Sequence, residues 1–211
     1  MIKRYSRKEL TDIWSEENKY QIWLDVEVAA AEAMEKLGQI PKGVASVVKK
    51  KAKINVNRIQ KIESEVKHDV IAFLTSVTER AGIKARYLHQ GMTSSDVLDT
   101  SFNIQMVQSG KIILKNIDQI LKVLKKQAKK YKFTPCMGRS HGIHAEPVTF
   151  GLKLDFFCVA LQTNLFDFLK NILAVHKLLF FVNVLFQLKF SQLSQQLYLR
   201  QKNKMHVYLL V

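Results

Sequence analysis

A single helical repeat dominates the chain. From Asp96 to about Lys130, apolar side chains fall at positions 98, 102, 106, 107, 113, 114, 117, 120, 121, 124 and 128, the three-and-four spacing of one helix face. About 35 residues at a 1.5 Å rise make a rod of roughly 50 Å. Helices of that length belong to coiled coils or extended bundles, and often to oligomers. Gly110 weakens the run without ending it, and Pro135 closes the region. With eight glycines and three prolines in 211 residues, turn formers are scarce, and no stretch alternates convincingly enough for a sheet. The expected fold class is all-α.

The residues before the long helix carry the same period. Ser6 and Glu9 form a capping-box pattern, and apolar residues then recur through Ile13, Trp14, Ile22, Trp23, Val26, Ala30, Ala33, Met34 and Leu37 until Gly38 stops the run. Pro41 sits where a first helical residue is expected, ahead of a short basic helix from Lys42 to Lys53. Asn57 is placed to cap one further helix carrying Ile59, Ile62, Val66, Val70, Phe73, Leu74 and Val77 up to Gly82. RYLHQGMTSSD and CMGRSHGIHAEP read as loops, the second followed by a helical start at Pro147. Three parts are expected: a helical N-terminal domain over 1–94, the first part of a helical bundle over 95–154, and an atypical tail over 155–211.

Composition sets the tail apart. Of 18 acidic residues, 17 lie at or before Asp155, whereas eight of the twelve Phe lie from Phe156 onward. His176, Lys177, Asn183 and Gln187 break every window long enough for a membrane span. The net charge of +15 favours polyanions, whether nucleic acid, an anionic membrane face or a phosphorylated or polycarboxylate metabolite, although a Lys-rich background accounts for it equally well. Two cysteines make no disulfide framework and fit a reducing compartment. The start, MIKRYSRKEL, has no apolar segment of a secretory signal.

Imidazoles are the natural place to look for proton transfer near neutral pH. His176 and His206 have no polar company. His68 reads as mid-helix, where an adjacent Asp69 points elsewhere and no intrahelical pair forms. His89 precedes GMTSSD, whose Thr93, Ser94 and Ser95 stand at the mouth of the long helix. That position suits an anion, while Thr93 and Asp96 equally form a self-sufficient capping box. Gly138-Arg139-Ser140-His141-Gly142-Ile143-His144 brackets a guanidinium, a hydroxyl and an imidazole between glycines that let a backbone approach a ligand. Zinc held by Cys136, His141 and His144 matches no common ligand spacing. No phosphate-binding loop, dinucleotide fingerprint or nucleophile elbow is present.

Four strings, in this order and at compatible spacings, resemble the adenylosuccinate lyases of the fumarase/aspartase superfamily: IKRYS at the start, KHDV at 67–70, GMTSSDVLDT at 91–100 and MGRSHGIHAEPVTFGLKL at 137–154. KHDV and RYS favour this family over argininosuccinate lyase or fumarase. The resemblance covers about residues 1–154. It implies a β-elimination releasing fumarate from adenylosuccinate or the related succinyl-carboxamide ribotide, in a helical homotetramer whose sites combine several subunits. By matched motif, His141 would be the general acid and His68 a second catalytic imidazole. Arg4 and Tyr5 would contact the nucleotide, Lys67 and Asp69 would line the substrate site, and His89 would help hold the phosphate. Thr93, Ser94 and Ser140 would bind substrate. The resemblance implies a purine nucleotide substrate, no metal, no cofactor, neither nucleic acid nor membrane as partner, and a cytoplasmic location.

After Leu154 the resemblance ends. The serine-bearing loop that supplies the base, SSAMPHKRNP in relatives, has no counterpart, and the acid-poor tail fits a frameshifted or prematurely ended gene. The expectation is that these 211 residues carry the acid half of a site without its base half and release no fumarate alone. A basic helical nucleic-acid-binding or scaffold protein is the rival reading, and a membrane-associated fragment using 156–190 as an interfacial helix is another.

Overall fold

The computed structural model describes residues 3–165, with Asp167 and Lys170 beyond them. The Phe-rich tail past that point, with His176 and His206, lies outside the described residues. Among the described residues the fold is helical, and the chain divides into two compact units, one through Gln105 and one from Met106 onward.

The first unit contains α1 (Lys8–Ile13), α2 (Glu16–Lys36), α3 (Val44–Lys51), α4 (Val56–Val66), α5 (Asp69–Ala81) and the opening turns of α6 (Ser94–Lys130). Its core is centred on three aromatic rings. Tyr20 and Trp23 meet edge to face at 5.1 Å, Trp23 and Phe73 at 5.4 Å, and Tyr20 stacks on Phe73 at 6.0 Å. Burial, followed by the negative charges of Glu16 and Glu63, pushes the Tyr20 phenol up to about 12. The buried residues of α2 are Tyr20, Ile22, Trp23, Leu24, Glu27, Val28 and Ala31. Ile22 and Trp23 are buried as expected, whereas Leu37, just past the end of α2, is exposed, as is Trp14, which lies between α1 and α2, where Ser15 starts the second helix by accepting from the Asn18 N–H at 3.2 Å.

Helix ends also correct the sequence reading. Arg7, not Ser6, is the N-cap of α1, so Glu9 falls one place early for a capping box. Gly38 does end α2: its N–H donates to Glu35 and that of Gln39 to Met34, the paired bonds of a Schellman turn. Pro41 precedes α3 rather than opening it. Both Glu35 oxygens receive that helix's first N–H groups, from Gly43 at 3.0 Å and Ala45 at 2.7 Å, and these bonds hold the Glu35 carboxyl below its ordinary range. Asn55, not Asn57, caps α4 by accepting from the Arg58 N–H at 3.1 Å. The expected single helix up to Gly82 is two helices, broken at Lys67 and His68 and clamped by an Arg58–Glu79 fork.

In the second unit, α6 continues to Lys130, 37 residues in all, and Gly110 lies inside it. Beyond its end the chain forms an antiparallel hairpin, β1 (Pro135–Ser140) and β2 (Ile143–Thr149), where a loop was expected. Both strands are largely exposed on both faces, so no apolar alternation marks them; a two-residue turn sets the register instead. Thr149, not Pro147, opens α7 (Phe150–Ala160) by accepting from the Leu152 N–H at 3.2 Å. A small core joins Ile117 and Leu121 of α6 to Cys158 of α7.

Gly151 fixes how closely α7 approaches α6. A Cβ there would stand 2.5 Å from the Lys132 Cα and 2.6 Å from the Ala128 carbonyl oxygen, and backbone cannot swing aside. Gly151→Ala is expected to destabilise this unit by about 1–3 kcal/mol. Amide exchange in α7 and the hairpin should quicken while exchange around Trp23 stays unchanged; unaltered α7 exchange would contradict the packing described.

Candidate functional site

Three non-glycine residues among those described have left-handed backbone: Lys67 (φ 54°), His89 (φ 61°) and His141 (φ 51°). Such residues are uncommon and carry a conformational cost, and they gather where surrounding structure holds them for a purpose. All three belong to the candidate set drawn from the sequence.

Lys67 ends α4, and its turn makes His68 the N-cap of α5 rather than a mid-helix residue. His68 Nδ1 accepts from the Ile71 N–H at 3.4 Å and lies 3.6 Å from Asp69 Oδ1. The two uses exclude each other: capping needs the Nδ1 lone pair, ion pairing needs its proton. Both side chains are nearly half exposed. The expectation that His68 and Asp69 diverge is thus corrected, because the pair straddles a helix start instead of lying within a helix.

His89 is held from the core. The Glu27 carboxylate, fully buried, accepts from the His89 backbone N–H at 2.8 Å and lies 2.6 Å from its Nδ1. The hydrogen bond to Glu27 raises the His89 imidazole above its ordinary range against the opposing effect of partial burial, and the charges of Glu27 and Asp96 add to the rise. A ring protonated more readily in the folded chain contributes stability that is fully present below the unfolded value, about 6.5. That contribution is lost as pH rises through the higher folded value. An NMR titration of the His89 ring is expected to show a midpoint above that of a free imidazole. A midpoint at or below it would contradict the pair.

At the mouth of α6, Asp96 accepts from the Thr93 backbone N–H at 2.8 Å, the return half of a capping box. Thr93 is exposed and Ser94 half-buried at the same helix start. At the N-terminus the Arg4 guanidinium lies 4.7 Å above the ring of Tyr5, which is 74% exposed.

Ser140 and His141 lie in the second unit, where His141 and Gly142 (φ 81°) form the two-residue turn of the hairpin. Positive φ at both central positions is the turn type whose twist matches the strands it joins. Both glycines have structural duties in the hairpin itself. Gly142 completes the turn, and Gly138 passes the Glu146 carbonyl, where a Cβ would come within 2.6 Å. Ser140, His141 and His144 are all exposed. Among the described residues, no group of three His, Cys, Asp or Glu side chains is placed to hold a metal ion.

Glu27 was missed from the sequence, though it left a signal. It falls four residues after Trp23 and four before Ala31, at a core position of the α2 stripe, where a carboxylate is out of place unless something charged or donating meets it.

Comparison with known proteins agrees with the motif reading on the family and extends the match past Leu154, where that reading ended it. The family described as Lyase matches residues 3–181. Adenylosuccinate lyase of Bacillus subtilis is 44% identical over 165 residues, 78% of this chain and 38% of the relative. That of Streptococcus mutans is 46% identical over the same shares. The chain thus spans under two-fifths of the length of these curated relatives. Among solved structures, a fumarate lyase from a Mesorhizobium species superposes with a TM-score of 0.69 at 27% identity, covering 75% of this chain and 39% of that one. A β-carboxy-cis,cis-muconate cycloisomerase from Acinetobacter calcoaceticus gives 0.71 at 28%, covering 80% and 40%. Among the described residues no helix is long and apolar enough to cross a membrane. Matched over most of its own length, the chain belongs to the lyase family of the fumarase/aspartase superfamily.

Proposed function

We propose that this chain supplies the general acid and the nucleotide contacts of an adenylosuccinate lyase, which releases fumarate from adenylosuccinate to leave AMP, or from succinyl-aminoimidazole-carboxamide ribotide, in purine biosynthesis. In that elimination a base removes the proton beside a carboxylate, the C–N bond breaks as the C=C bond of fumarate forms, and the electron pair goes to the departing nitrogen. His141 protonates that nitrogen, with His68 as the second catalytic imidazole. His89 holds the phosphate, and Arg4 and Tyr5 contact the nucleotide. Lys67, Asp69, Thr93, Ser94 and Ser140 orient the rest of the substrate. The base is not among these ten residues. The protein works as a cytoplasmic homotetramer with no cofactor.

The observation that carries this reading is the left-handed backbone at Lys67, His89 and His141. Lys67 and His141 lie within two of the three strings that match the family motifs after the N-terminus, and His89 lies two residues before the third. The test is a chimera in which the aligned 165-residue segment replaces its counterpart in the Bacillus subtilis relative. Fumarate and AMP released in equal amounts support the proposal. A folded, assembled chimera that releases neither removes it.

A further inference from the structure

Glu27 is the one charged side chain buried among the described residues. A carboxylate withdrawn from water is costly unless a cation or several donors meet it. Here both oxygens are committed to one residue, Oε2 to the His89 backbone N–H and Oε1 to the ring Nδ1. Fastening a loop needs no charge in the core, since an asparagine or threonine would serve with less desolvation. A buried carboxylate does what those cannot: it keeps a proton on Nδ1 and favours a second proton on Nε2. The bond to the backbone and the left-handed φ at His89 leave the ring little freedom. Nε2 makes no hydrogen bond among the described residues, and 17% of the side chain stays exposed.

We infer that Glu27 is a positioning residue: through its two bonds to His89 it presents the imidazolium Nε2–H to a phosphate monoester, the anionic group of a nucleotide. The phosphate contact and the identity of the nucleotide rest on the function proposed above, whereas the positioning of the ring by Glu27 rests on the pair itself. The charged groups acting on the ring from neighbouring elements are Glu27 of α2 and Asp96 of α6, and both favour its protonated form.

The experiment titrates the full 211-residue chain, labelled with ¹⁵N-histidine, against inorganic phosphate, AMP and adenosine while NMR follows the ring nitrogens. Wild type is compared with Glu27→Gln, which keeps the size and a carbonyl for the backbone N–H but turns an amide donor toward Nδ1. In wild type, phosphate and AMP are expected to move His89 Nε2, and adenosine is not. In Glu27→Gln the Kd for phosphate is expected to rise about tenfold, the difference between a charge-assisted and a neutral hydrogen bond. Equal phosphate affinity in the two proteins overturns the inference. Glu27-dependent phosphate binding without AMP binding supports it while removing the nucleotide reading. AMP bound equally well by both overturns the role of Glu27 and leaves that reading standing. His89→Asn, which tolerates the left-handed backbone, should lose as much phosphate affinity as Glu27→Gln, and no loss overturns the inference. Should Glu27→Gln fail to fold, wild type still decides, because an Nε2 unmoved by saturating phosphate is fatal.

Discussion

Replacing His141 by asparagine is expected to lower kcat of the chimera by about 10²- to 10⁴-fold, the range for loss of a positioned general acid. KM should stay within a few fold, because the change removes an interaction that matters only as the C–N bond breaks. Asparagine is chosen for the backbone. His141 has φ 51° in a two-residue turn, and asparagine is among the few residues that enter that region readily. The hairpin register, with Ser140 opposite Ile143 and Arg139 opposite His144, should therefore survive. The effect is then chemical and not structural, and the limb of the pH–rate profile that reports the acid should vanish with the activity. A variant turning over within a few fold of the parent would remove His141 from the chemistry.

Trp23→Ala is expected to have the largest effect on stability, about 3–5 kcal/mol. Domains of this size are stable by only about 5–15 kcal/mol in total, so a fifth or more of the margin goes. Trp23 is 1% exposed, contacts Tyr20 and Phe73 edge to face, and donates through Nε1 to Ser101 Oγ at 2.9 Å. Truncation removes both ring contacts and leaves a cavity, and Ser101 keeps only its bond to the Leu98 carbonyl. Glu27 lies one turn further along the same face of α2, so the His89 ring should also move toward ordinary titration. Urea unfolding followed by circular dichroism measures the first effect and NMR the second. A loss under 1 kcal/mol would contradict the core described here.

The parts legible in the sequence are those where one physical pattern acts alone. The long helix was visible because its apolar repeat runs unbroken, and its observed start at Ser94 lies two residues from the expected one. The break at Lys67 and His68 was hidden because Ile59, Ile62, Val66, Val70 and Phe73 keep helical spacing straight across it. Nothing in a lysine announces a left-handed backbone. The hairpin was hidden for the opposite reason, since strands exposed on both faces need no alternation and rely on a His-Gly turn. The candidate imidazoles were legible from motifs, but their settings were not. His68 as a cap and His89 as the partner of a buried acid 62 residues away depend on tertiary packing.

The measurement that bears most directly on the account follows the ring nitrogens of His68, His89 and His141 in the ¹⁵N-histidine-labelled chimera as AMP is added. All three imidazoles are predicted to shift along one saturation curve with a single Kd, while His144 stays still. Rings that respond with different midpoints, or a His141 that does not respond at all, would contradict the claim that they act on one nucleotide.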